Sequence, residues 1–187
     1  MWARGDAGST LDGLEDPDVR CLVVDLGSLS THEEQTLAAA AMLERLWNLR
    51  NRREPVLIVI DEAHNVCPAA PADPLTALAT EYAVRIAAEG RKFGLYLLTA
   101  TQRPQKVHPN VVSQCDNLIL MRMNSAADLG YLRDVFSFVP DTLLALARDF
   151  TLGQALVAGK LSSHPALVKM GPRLAEEGGA DVPATWA

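Results

Sequence analysis

A chain of 187 residues, 49% hydrophobic and 21% charged, has the composition of an ordinary globular protein and can bury one substantial core. Its net charge of −6 excludes a broadly basic nucleic-acid-binding surface, although a few cations lining a channel need no basic average. Cys21, Cys67 and Cys115 form no C-x-x-C pair and indicate neither a zinc site nor a disulfide framework. No apolar run approaches the ~20 residues of a membrane span, and residues 1–10 lack a signal-peptide core, so a cytoplasmic location away from membranes is expected.

Residues 1–18, rich in Gly and Asp, read as a leading loop. A first strand is expected over 19–26, ending near Asp25. Ser30 with Glu33, or Thr31 with Glu34, offers a capping box for the helix that follows. That helix carries Ala39, Met42, Leu43, Leu46 and Trp47 on one face, and its end holds Arg50, Arg52 and Arg53, where cations suit the helix dipole. Next comes Val56-Leu57-Ile58-Val59-Ile60, a run that reads as a strand buried on both faces. A proline-rich loop, a second amphipathic helix over about 75–93 with Leu75, Leu78, Ala79, Tyr82 and Ile86 inward, and a break at Gly94 follow. A third strand is expected at 95–100, a short helical turn at 110–114 and a fourth strand at 117–122. Helices over 126–135 and 141–148 precede a terminal, antiparallel strand pair at 153–161 and 166–170. Residues 171–187 read as a loose tail, leaving 19–170 as one α/β core.

Alternating strands and helices with short connections specify a mainly parallel sheet whose carboxyl ends share one edge. Asp25, Asp61, Glu62, Gln102 and Arg122 are expected to converge there. Asp61 and Glu62 directly follow the apolar strand, as in the Walker B element of nucleotide-hydrolysing motors. Asp61 is suited to hold Mg²⁺, directly or through water, and Glu62 to polarise an attacking water. Gln102 has an amide able to donate to a γ-phosphate and to orient that water. Arg91, before the Gly94 break, is a candidate finger for a neighbouring subunit's nucleotide, with helix-dipole compensation as the alternative. Arg122 is a second candidate for phosphate binding, with an edge salt bridge as the alternative. His64 lacks a ligand partner at helical spacing and reads as a polar contact at the margin of the site. Arg103, Lys106 and His108 lie in a loop at the same edge, placed either to touch a DNA backbone or simply to be solvated. The phosphate-cradling motif G-x-x-x-x-G-K-[ST] does not occur in the 187 residues, and the first lysine is Lys92.

Several segments together resemble the HerA/FtsK group of DNA-pumping ATPases, and HerA in particular. These are Asp61-Glu62-Ala63-His64, Gly90-Arg91-Lys92-Phe93-Gly94, Thr101-Gln102-Arg103-Pro104, Ser113-Gln114-Cys115-Asp116-Asn117, Leu120-Met121-Arg122-Met123-Asn124 and Gly153-Gln154-Ala155-Leu156-Val157. The resemblance implies a partial RecA-like α/β core, ATP and Mg²⁺ as cofactors, and a homo-oligomeric, hexameric ring that threads DNA, with a nuclease as possible partner. It implies Asp61 and Glu62 as the Walker B pair, Gln102 as sensor and Arg91 as the trans finger. Without the phosphate loop, the polypeptide by itself is expected to hydrolyse ATP negligibly. Two alternatives stay open: a conjugation- or secretion-type DNA pump, and a non-catalytic ring subunit that has lost nucleotide binding.

Overall fold

The β-branched run at the centre of the chain forms β1 (Val56–Ile60), and the next apolar run forms β2 (Leu95–Thr99). In the computed structural model, which describes residues 12–16, 18–172 and 174, the two strands pair in parallel. Val56 lies opposite Leu95 and Ile60 opposite Thr99. Parallel neighbours need a crossover, and α3 (Pro74–Glu89) supplies it after the short helix α2 (Ala63–Val66). Asp73 starts α3 by accepting the amides of Leu75 and Thr76, with Pro74 in the first helical position. Gly94, at φ 87°, ends the single turn that follows (Gly90–Phe93) and lets the chain reverse into β2.

α1 (His32–Leu49) packs along α3. Of the two candidate capping boxes the chain uses Thr31 with Glu34. The arginines after α1 behave as a helix terminus. The Arg50 guanidinium donates to the Trp47 carbonyl at 2.7 Å and stacks 4.6 Å from the Trp47 ring. In α3 the buried stripe is Thr76, Ala79, Thr80, Ala83 and Ile86, whereas Leu78, expected inside, is 40% exposed.

Three expectations are corrected. Residues 19–26 form no strand: Leu22 and Val23 are exposed, and the Asp25 carboxylate accepts the Gly27 amide at 3.0 Å. That local turn competes with strand pairing, and no described strand offers residues 19–26 a ladder. β1 is also buried on one face only. Ile58 and Ile60 join Leu43, Leu46, Ala83 and Ile86 in the core, but Leu57, Val59, Tyr96 and Leu98 on the other face are 41–62% exposed. α1 and α3 both pack into the core that Ile58 and Ile60 join, and the side chains on the opposite face find no described partner.

The third correction concerns the fourth strand. β3 (Asn117–Leu120) does not extend the parallel pair; it pairs antiparallel with β4 (Gln154–Gly159), which pairs antiparallel with β5 (Ala166–Lys169). The terminal antiparallel pair is as expected, and β3 joins it because Gly159 permits very close approach. Gly159 sits at φ 103°, and a Cβ there would lie 2.1 Å from the Asp116 carbonyl. Between the strands lie α4 (Pro109–Val112), α5 (Ala126–Val135) and α6 (Asp141–Ala145). Leu118, Leu120, Leu156 and Ala158 share one core with Ile58 and Ile60. The class is therefore α/β, as expected, with one parallel pair and a three-stranded antiparallel sheet among the described residues. Most of the expected tail over 171–187 lies outside the described residues.

Candidate functional site

Parallel pairing in register brings the carboxyl ends of β1 and β2 side by side. The ladder runs on past both strands: the Ala100 amide donates to Ile60 O and the Ala63 amide to Ala100 O, each at 2.9 Å. Asp61 and Glu62 thus face Thr101 and Gln102. The Gln102 Nε2 donates to Glu62 Oε1 at 3.3 Å, joining residues 40 positions apart. Asp61 Oδ1 accepts the Glu62 amide at 2.9 Å, which fixes that carboxylate at the strand end.

Glu62 itself adopts the left-handed conformation, φ 46° and ψ 48°, an uncommon state for a non-glycine residue. This turn throws its side chain across the end of β2. His64, in the first turn of α2, has Nδ1 3.2 Å from Glu62 Oε2 and 3.1 Å from Thr101 Oγ1. Thr101 Oγ1 also accepts the Arg103 amide at 3.0 Å. The loop after β2 is anchored from below. The His108 amide donates to Cys67 O and the Ala69 amide to Lys106 O, both at 2.8 Å, and Cys67 and Val107 are fully buried. Burial pushes the Cys67 thiol up to about 12, with the Cys115 charge a smaller contribution, so Cys67 is an inert packing group.

Other candidates lie elsewhere. Arg91 precedes β2, at the amino edge of the parallel pair, one strand length from Glu62. Its side chain is 75% exposed, and the guanidinium lies 3.7 Å from Asp116 Oδ2. Asp116 also accepts from Lys160 Nζ at 2.7 Å, and that bond, with the two nearby cations, holds its carboxyl below the usual range. Arg122 is exposed beyond the end of β3, in the other sheet, and Asp25 closes its own turn. Arg103 and Lys106 are exposed in the loop, while the His108 side chain accepts the Asn110 amide at 3.3 Å and caps α4. Of the five residues expected to converge, Asp61, Glu62 and Gln102 do so. Two features escaped the sequence reading: the backbone twist at Glu62 and the contact of His64 with Thr101. The second had a signal, since Thr101 directly precedes Gln102 at the same strand end.

Among the described residues no group of three or more His, Cys, Asp or Glu side chains is placed to hold a metal ion. Asp61 alone fits Mg²⁺, which keeps most of its waters and takes one or two carboxylates plus substrate phosphates. One Asp61 oxygen is occupied by the Glu62 amide, leaving the other for such a cation or its water shell.

An α/β core carries an acidic pair and a glutamine on adjacent parallel strand ends, and solved structures of NTPases share this fold. The genome packaging NTPase B204 of Sulfolobus turreted icosahedral virus 2 superposes with a TM-score of 0.57 at 18% identity, covering 87% of this chain and 72% of that one. VirB4 of Thermoanaerobacter pseudethanolicus gives 0.57 at 17% identity, covering 79% of this chain and 39% of that one. No family model matches the chain.

Sequence relatives are more particular, and they bear out the HerA resemblance. The DNA double-strand break repair helicase HerA of Saccharolobus solfataricus is 34% identical over 116 residues, 62% of this chain and 22% of the relative. HerA of Sulfurisphaera tokodaii is 33% identical over 116 residues, 62% of this chain and 23% of the relative. HerA of Sulfolobus acidocaldarius is 27% identical over 158 residues, 79% of this chain and 31% of the relative. The chain is thus a relative of the HerA helicases that spans about a quarter of their length.

Proposed function

We propose that this chain forms the Walker B half of the ATP-hydrolysing site of a HerA-like, DNA-translocating hexamer. The observation that carries this reading is the hydrogen bond from Gln102 Nε2 to Glu62 Oε1, beside Asp61, at two adjacent parallel strand ends. Glu62 serves as general base, accepting the proton of the attacking water on the oxygen that faces Gln102. Gln102 then has two tasks, orienting that water and donating to the γ-phosphate. Asp61 holds Mg²⁺, which neutralises charge developing on the phosphates. The position of Arg91 at the far edge of the sheet excludes it from the site of its own chain and suits a finger reaching a neighbouring subunit. Arg122, exposed beyond β3 in the other sheet, is a second candidate for that trans role, and the exposed Arg103 and Lys106 are assigned to the DNA backbone. Identity to HerA helicases over most of the chain supports this reading over a conjugation-type pump or a retired subunit. In the HerA setting the site acts in DNA end processing, with a nuclease partner.

The amides and lysine that cradle phosphates are absent from the 187 residues, so the half-site needs a P-loop-bearing segment to complete it. ATP hydrolysis is to be measured for the chain alone, and again with the P-loop segment of a HerA relative supplied in trans. Silence alone, activity together, and a loss of about 10²–10⁴-fold in Glu62→Gln are expected. Hydrolysis by the chain alone that vanishes in Glu62→Gln would show that it carries its own phosphate cradle. A complex that forms but leaves wild type and Glu62→Gln equally inactive would refute the catalytic reading.

A further inference from the structure

We propose that His64 is a positioning residue for Glu62, donating from Nδ1 to Glu62 Oε2 so that Oε1 alone is presented to Gln102 and water. The inference rests on the reading of Glu62 as the base, but its geometry stands apart from that reading. Glu62 reaches the site on three rotatable side-chain bonds, so its carboxylate needs an external hold to face one direction. Oε1 has the Gln102 amide. Oε2 is buried and has no hydrogen-bond partner, although His64 Nδ1 lies beside it at 3.2 Å. A buried carboxylate oxygen facing the lone pair of a ring nitrogen is unfavourable, whereas facing an N–H it is satisfied.

The imidazole is a firm post for this purpose. Its side chain is 17% exposed against 41% for Glu62, and it sits on α2, where the Cys67 amide returns to Ala63 O at 2.9 Å. Thr101 Oγ1 limits the ring from the β2 side at 3.1 Å, and Thr101 is itself held by the Arg103 amide. His64 therefore ties the end of β1 to the end of β2 at the point where the base must be aimed. The competing arrangement has the Thr101 hydroxyl donating to Nδ1, which places the ring proton on Nε2 and leaves Glu62 unheld.

The two arrangements differ in tautomer, which long-range ¹H–¹⁵N spectra of the imidazole read directly. The spectra would be recorded on the whole chain at pH 9, with His64→Gln used to assign the resonance. We expect His64 to carry its proton on Nδ1, to keep it there in Thr101→Val, and to lose that preference in Glu62→Ala. A proton on Nε2 in wild type, or an Nδ1 proton unaffected by Glu62→Ala, overturns the proposal whether or not the chain hydrolyses ATP. In the completed, hydrolysing assembly His64→Leu should lower kcat at least tenfold with the nucleotide KM within twofold. His64→Asn, whose amide places an N–H near the Nδ1 position, should restore most of it. Equal losses in Leu and Asn, or a loss confined to KM, would also overturn a positioning role. An Nδ1 tautomer in an assembly that never hydrolyses ATP would uphold the contact and refute the catalytic reading instead.

Discussion

At most exposed positions, glycine makes a protein less stable than alanine; at position 62 we expect the reverse. Glu62 holds φ 46° and ψ 48°, where a Cβ costs about 1–2 kcal/mol. Glycine avoids that cost but loses about 0.5–1 kcal/mol more backbone entropy on folding. Both Glu62→Gly and Glu62→Ala delete the contacts to Gln102 and His64, so those losses cancel between the two variants. The difference should leave Glu62→Gly more stable than Glu62→Ala by about 0.75 kcal/mol, within roughly 0–1.5 kcal/mol. Urea unfolding of the chain should show this as a midpoint roughly 0.4 M higher for Gly, given a slope near 2 kcal/mol/M. The control is Glu81 on α3, an exposed helical position paired with Arg85 one turn on. There Gly should be less stable than Ala by about 1 kcal/mol. If the order at 62 matches the order at 81, the left-handed turn is not what aims Glu62 across the strand ends, and the geometric account of the site fails.

Two further outcomes follow from the same structure. Gly159→Ala should cost roughly 2–5 kcal/mol, combining positive-φ strain with overpacking against the Asp116 carbonyl, read as a lower thermal midpoint; a loss below about 1 kcal/mol would mean that β3 and β4 do not approach as closely as described. Asp73 has its carboxyl held below the usual range, first by the Thr76 hydroxyl and then by the Thr76 and Leu75 amides. A depressed folded value contributes stability above the unfolded value near 3.9 and loses it as pH falls through the folded value. Asp73→Ala should therefore flatten stability against pH below about 4, measured by urea midpoints between pH 2 and 6, and an unchanged acid slope would refute the cap.

The helices and their ends were legible in the sequence because they depend on neighbours one turn away. The helix over 126–135 falls at those residues, Thr31 with Glu34 caps α1, and the Gly94 break stands where read. The convergence of Asp61, Glu62 and Gln102 was legible too, since parallel pairing of two apolar runs puts their carboxyl ends together whatever the details. Residues 19–26 looked like a strand from composition, yet a strand exists only where another supplies its ladder, and composition cannot report that.

The sequence by itself determined the longer helices, the break at Gly94 and the chemistry gathered at one strand end, all of which are local patterns or consequences of one pairing. Tertiary structure alone decided which strands pair. It joined β3 to β4 through Gly159 rather than to β2, and left the Leu57, Val59, Tyr96 and Leu98 face bare. It also decided the left-handed turn at Glu62 and the meeting of His64 with Thr101, 37 residues apart. The physical reason is the same in each case. Hydrogen-bond partners and covering side chains at long sequence separation are set by packing geometry, which no single segment encodes.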